Sequence, residues 1–471
     1  MALIGLRDSL PVDGEPYGSN MVVPAGIVGV ETPSGRALVD ARWTMAYAAS
    51  IGDGNDRYFD TSVTPAVHPM FPVCFEWPVI VEAMAVLSAE HGLTAPFGSM
   101  VHAGHASRQH RPLRPPESLT TSCVIRAVRE TRAGVLVVFG LETIDESGAP
   151  VVSTEESMML RGERIDGGAP SIGRALLEPR EIRREPSEWE EFDVAVDRFA
   201  AHTYSECARI WNPIHTDSAH AAEHGLPGII LHGTATAARV LTVVVDHLLE
   251  GEPSRVTAMS CRFTSMVHAG HVSRQHRPLR PPESLTTSCV IRAVRETRAG
   301  VLVVFGLETI DEDGEPVVST EESMMLRGER LDGGGPSIGE TLLEPREFQS
   351  EPSKWDEVDV AVDRFAAHTY SECARIWNPI HTDSAHAAEH GLPGIILHGT
   401  ATAARAVTVV VDQLLKGEPS RVTGMSCRFA SMVLMPNMLT VRHGLTGDEV
   451  SASVRNSTGD EAVSRMTISL G

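Results

Sequence analysis

Apolar residues, mostly Ala, Val and Leu, recur every three to four positions over residues 76–91, 234–250 and 400–416. Each stretch closes on a glycine, Gly92, Gly251 and Gly417, which predicts three long helices with glycine C-caps. Between the first two lie Val/Thr/Ser-rich segments, 120–130, 134–144 and 150–160, bounded by turn signals such as Ser147-Gly148. A further strand-like stretch, 438–470, closes the chain and occurs nowhere else in it. A sheet must bury one face and a long helix can cover it, so the pattern predicts an α+β fold of helices wrapped by antiparallel strands.

The same pattern repeats. Residues 99–264 recur as 265–430 at a constant offset of 166 without a gap. About twenty positions differ, many of them after Gly173, where Arg174, Ile182, Arg183 and Arg184 face Glu340, Phe348, Gln349 and Ser350. A polar stretch that drifts while its flanks hold behaves as a linker. The long repeat is a tandem duplication, or a join of the same form made in assembling the sequence. An older repeat lies beneath it: Tyr47, Asn55 and Asp60 match Tyr204, Asn212 and Asp217 at identical spacing. Three units are therefore expected, at 1–168, 194–334 and 360–471, with linkers at 169–193 and 335–359. The middle unit is chimeric, because it takes its later strands from the pattern of the first.

A length of 471 residues suits roughly three domains of about 150 residues. No apolar run reaches the ~18–20 residues of a transmembrane helix, and no basic segment followed by an apolar one marks a signal peptide. A net charge of −22 argues against nucleic acid or an anionic membrane as partner. The seven cysteines (Cys74, Cys123, Cys207, Cys261, Cys289, Cys373 and Cys427) contain no C-x-x-C and read as reduced thiols of a cytoplasmic protein.

The chemistry-bearing words are Asn212-Pro213-Ile214-His215, followed by His232-Gly233 at the start of an apolar helix, and their copies Asn378-Pro379-Ile380-His381 and His398-Gly399. This two-part pattern resembles the MaoC-like acyl-thioester hydratases and dehydratases of the hotdog fold. The resemblance implies three tandem hotdog units, a degenerate first site and one signature in each of the other two. It implies hydration of a trans-2-enoyl thioester to an (R)-3-hydroxyacyl thioester, or the reverse, on acyl-CoA or acyl-carrier protein. Such a reaction needs a base for water near neutral pH, which histidine supplies, and a donor for the developing enolate, which a helix N-terminus supplies. By resemblance, His215 and His381 are the acid/base, Gly233 and Gly399 give the oxyanion amide, and Asn212 and Asn378 hold the turn or the water. No cofactor or metal is implied: His220 and His224 stand four apart, but no H-E-x-x-H or cysteine pair accompanies them.

The sequence departs from that pattern where an Asp usually precedes the Asn by two residues; here Ile210 and Ile376 stand. Three readings follow. Glu206 or Asp217 (Glu372 or Asp383 in the copy) takes the role, the His works alone, or the site binds thioesters without turnover. A hotdog thioesterase is a further alternative. In the first unit Asp53 and Asn55 remain, but Tyr58 stands in place of His and no His-Gly pair follows. Tyr204 and Trp211 are expected to pack beneath the signature loop. A basic cluster, Arg108, Arg111 and Arg114 with His102 and His105 nearby, recurs as Arg274, Arg277 and Arg280. It reads either as a loop pairing with neighbouring acids or as a clamp for coenzyme A phosphates. Three units leave one without a partner sheet, so a homo-oligomer is expected. The third unit, whose strands are its own, is the favoured active copy.

Overall fold

The computed structural model describes residues 22–93, 100–161, 163–166, 171–177, 192, 194–224, 226, 228–262, 286–297, 300–310, 316–327, 330, 338–339 and 352–471. The chain forms two compact units, one of residues 1–272 with 363–396, the other of 273–362 with 397–471.

In the first unit a short parallel pair joins β1 (Val22–Val23) and β7 (Arg164–Ile165). The main sheet contains β2 (Glu31–Val39), β3 (Met100–Gln109), β4 (Glu117–Thr131), β5 (Gly134–Asp145), β6 (Pro150–Arg161) and β9 (Ala258–Arg262). Its order is β2-β4-β5-β6-β3-β9, with β8 (Ser171–Gly173) paired to β4. The three central strands match the sequence expectation to within a few residues. They form long antiparallel ladders of Val- and Thr-rich strands, with β5 buried on both faces and β4 alternating. Strand β9 follows the second long helix, yet it pairs with β3, so the sheet of the first expected unit continues into the middle one.

Helix α1 (Ala41–Ser50) starts at Asp40, whose side chain accepts the Trp43 N–H at 2.8 Å. Helix α2 (Val73–His91) lies against β2 and β4 and ends at Gly92, φ 73°, where a left-handed residue closes the last turn. Helices α3 (Ala200–Ala208), α4 (Ser218–Glu223) and α5 (Gly233–Leu248) follow, and α6 (Ala366–Ala374) and α7 (Ser384–Glu389) complete the unit. Helix α5 ends two residues before the sequence pattern does, because Glu250 takes φ 56° and Gly251 N–H turns back to the Val245 carbonyl. Helices α1, α3 and α6 pack on one another, and α5 lies on β3. Trp43, Tyr47, Phe71, Phe139 and Tyr204 are core residues, with Trp43 edge-on to Phe71 at 5.2 Å.

The second unit holds a four-stranded sheet of order β12-β11-β10-β13: β10 (Thr286–Thr297), β11 (Gly300–Ile310), β12 (Pro316–Arg327) and β13 (Ile338–Gly339). Its other sheet runs β14 (Asp356–Val362), β16 (Asn437–Thr446), β17 (Glu449–Arg455), β18 (Glu461–Leu470) and β15 (Val422–Phe429). Helix α8 (Gly399–Leu414) lies across β16, β17 and β18, burying Ala403, Ala406 and Val410 against a sheet that buries Val441, Val450 and Ile468. A long helix wrapped by antiparallel strands is the hotdog arrangement anticipated from the sequence.

Candidate active site

The first signature loop is built from short-range bonds. Helix α3 ends at Arg209, φ 59°, and the Ile210 N–H bonds back to the Ser205 carbonyl. Asn212 then caps a single 3-10 turn, Pro213–His215, accepting the Ile214 N–H at 3.3 Å; proline suits the first position of such a turn. The turn delivers His215 to the start of α5. Its Nδ1 donates to the Ile230 carbonyl at 2.8 Å, and since a carbonyl only accepts, the basic lone pair is on Nε2.

The His215 ring stacks on His232 with centroids 3.6 Å apart and planes 23° apart. His232 immediately precedes Gly233, the first residue of α5, and its Nε2 donates to the Ile210 carbonyl at 3.2 Å. Tyr204 Oη donates to Thr234 Oγ1 at 3.0 Å, fixing the same helix end from below. A basic imidazole nitrogen and a helix N-terminus, whose first-turn amides have no partner within the helix, thus lie side by side. Burial pushes the His215 imidazolium down to about 4, and repulsion from His102 adds to it, while the bond to Ile230 acts the other way. His232 is driven well below the usual histidine range, first by burial and then by His215. Both rings are neutral near pH 7.

The second signature repeats the local geometry. Asn378 accepts the Ile380 N–H at 3.3 Å, and His381 Nδ1 donates to the Ile396 carbonyl at 2.8 Å. Burial lowers the His381 imidazolium too. In the other compact unit, Gly399 opens α8, and a Cβ there would meet the Phe429 ring at 2.9 Å, so the position requires glycine.

The four substitute carboxylates have other partners. Glu206 accepts from Trp211 Nε1 at 3.1 Å, and Trp211 is 52% exposed, outside the loop it was expected to underpin. Tyr204, by contrast, is fully buried. Glu372 is paired with Arg42 and lies 3.9 Å from Arg209. Asp217 caps α4 through the Ala219 and His220 N–H groups at 2.8 and 3.1 Å. Asp383 caps α7 through His386 and accepts from Thr61 at 2.7 Å. Arg111 pairs with Glu117 at 2.6 Å and Asp145 at 3.0 Å, Arg114 binds Glu117 through its backbone N–H, and Arg108 is exposed. Arg274, Arg277 and Arg280 lie outside the described residues.

In the stretch that matches this signature without its His, Tyr58 is buried and Asp53 accepts from Thr242 Oγ1 of α5 at 2.7 Å. Asn55 Nδ2 donates to the Gly251 carbonyl at 2.8 Å. These side chains therefore hold the helix whose other end carries the His-Gly pair. Sequence reasoning did not see that Glu156 of β6 lies beside His102 and His105. Nothing in the chain marks a residue some fifty positions away as a neighbour until strand pairing is known.

The long helices wrapped by antiparallel strands define a hotdog protein, with a neutral histidine at a helix N-terminus. Comparison with known families gives the particular kind: the MaoC like domain matches residues 172–275 and again 353–466, and the FAS1-like dehydratase domain region matches 26–154. This chain carries two MaoC-like dehydratase domains and a FAS1-like dehydratase region. It is 26% identical over 221 residues to enoyl-CoA hydratase ChsH3 of Mycobacterium tuberculosis, 46% of this chain and 74% of that one. It is 27% identical over 278 residues to 3-hydroxyacyl-thioester dehydratase Y of the same organism, 58% of this chain and 87% of that one. The crystal structure of HtdX, also from M. tuberculosis, aligns with a TM-score of 0.35 and 18% identity, covering 62% of this chain and all of that one.

Proposed function

We propose that this chain hydrates trans-2-enoyl thioesters to (R)-3-hydroxyacyl thioesters, or runs the reverse dehydration, with His215 as the principal base. The observation that carries this reading is the neutral His215 ring, its tautomer set by Ile230, stacked on the residue that opens α5. In the hydration direction His215 Nε2 takes a proton from water as the water oxygen bonds to Cβ. The double-bond electrons move onto the carbonyl oxygen, and the Gly233 amide N–H holds the resulting enolate. The imidazolium then returns its proton to Cα, so one group serves both transfers and the missing motif Asp is not needed. His381 is the corresponding base of the second copy. Acyl-CoA or an acyl-carrier protein supplies the thioester, and the partition into units at 1–168, 194–334 and 360–471 belongs to the same proposal, as does self-association.

A second reading, a thioester-binding module without turnover, is favoured by one observation: Ile210 is buried where the Asp would be, and the nearby carboxylates are bonded elsewhere. Incubation with crotonyl-CoA separates the two. Loss of the enoyl absorbance band is expected, and it should vanish when His215→Ala and His381→Ala are combined. Unchanged hydration in that double variant would falsify the catalytic assignment. Coenzyme A binding without turnover points to the binder, and release of free thiol to a thioesterase.

A further inference from the structure

The strand pair β3–β6 carries a buried cluster that hydration does not use. His102 and His105 are three apart, and on an unbroken strand an odd separation sends side chains to opposite faces. The β3–β6 register shifts between His102 and Gly104, inserting Ala103 as an extra residue and turning both rings to one side. His105 then stands directly across from Glu156, and His102 across from Met158, two residues further on the same face of β6. His102 Nε2 lies 3.6 Å from Glu156 Oε2, and His105 Nδ1 lies 3.7 Å from Glu156 Oε1. One donor atom from each of the three residues falls within 4.8 Å of the others.

Two observations point to a ligand. Glu156 is 1% exposed and His105 4% exposed, and among the described residues neither carboxylate oxygen of Glu156 nor Nδ1 of His105 has a hydrogen-bond partner. A buried carboxylate held only at the distance of a loose ion pair is costly, and a cation between these atoms would satisfy Glu156 and His105. We propose that His102, His105 and Glu156 form a three-ligand site for a divalent transition metal, zinc above all, with a fourth position open to water. Zinc–ligand distances of about 2.0–2.2 Å put tetrahedral ligand atoms about 3.3–3.5 Å apart. Two edges of the set are thus near the bound geometry, and loading draws the two rings together. His102 Nε2 also lies 2.9 Å from the Gly104 carbonyl, so loading moves that ring's proton to Nδ1. Two imidazoles and one carboxylate suit zinc better than magnesium or calcium, which take oxygen ligands. His268, His271 and Glu322 stand at the same offset in the second copy, the two histidines outside the described residues.

The test uses the full-length chain, stripped with a chelator and titrated with Co²⁺ alone. The expected result is a visible ligand-field band of four-coordinate Co²⁺ that Zn²⁺ displaces. His105→Ala and Glu156→Gln should each remove one equivalent of binding or weaken it by about tenfold or more. Should Glu156→Gln fail to fold by circular dichroism, His102→Ala and His105→Ala carry the measurement. No band in the native chain overturns the proposal. So does a band that survives these variants and disappears with His220→Ala and His386→Ala, since the metal then sits on the histidine pairs of α4 and α7.

Discussion

Residues 194–239 and 360–405 are the same sequence set in different surroundings. The local bonds are reproduced almost atom for atom: the cap from Asn212 or Asn378, the 3-10 turn, and Nδ1 on a carbonyl at 2.8 Å in both. Burial is not reproduced. Ile210 is 4% exposed and Ile376 43%; Asn212 is buried and Asn378 exposed. In the first copy, Trp43 donates to the Cys207 carbonyl and Tyr47 lies against Tyr204, so α1 covers the side of the helix that leads into the loop. In the second copy, Phe59 meets Phe365 and His368 instead, at the other end of the matching helix. The comparison teaches that this segment encodes the shape of the signature turn by itself, whereas a dry, desolvated imidazole comes from what covers it.

The largest expected effect breaks the comparison at the base. His215→Ala should lower kcat/KM for crotonyl-CoA by about 10²–10⁴-fold, and His381→Ala by much less. Equal losses would place the two copies on the same footing. Next comes restoration of the missing carboxylate. Ile210→Asp, in a buried position, should cost about 2–4 kcal/mol in a urea-unfolding experiment, and Ile376→Asp within about 0.5 kcal/mol. Similar costs would contradict the difference in burial.

The pH profile sharpens the point further. With His215 depressed to about 4, the neutral base is present above that pH and is lost as pH falls through it. The acid limb of kcat/KM in His381→Ala, which leaves His215 alone, should therefore lie near pH 4. A limb near the ordinary histidine value of about 6.5 would mean that the ring is solvated. Tyr204→Phe removes hydroxyl contacts to Thr234 and Tyr47 and should cost about 1 kcal/mol, read as a shift in the urea midpoint.

Much of this was legible in the sequence because it is local. The three long helices, the strand segments after the first of them, and the two signature turns follow from periodicity, glycine caps and capping side chains. Helix ends were overrun by two residues because Glu250, not Gly251, begins the left-handed closure of α5. The pairing of β9 with β3 was not legible, since a strand edge declares no partner. The meeting of His102, His105 and Glu156 was hidden for a related reason: it depends on one extra residue, Ala103, shifting a ladder between strands distant in sequence. Trp211 was misplaced because a large aromatic beside a loop reads as core, whereas here its indole N–H serves Glu206 at the surface.

The bonds from Asp53 to Thr242 and from Asn55 to Gly251 have a consequence for how mutants of this chain are interpreted. A screen scored on turnover would flag either position as though it touched substrate, when its effect travels along a helix to the far end. Measured beside substrate affinity and folding, such variants would sort with hinges and fasteners, apart from groups that touch the reacting atoms.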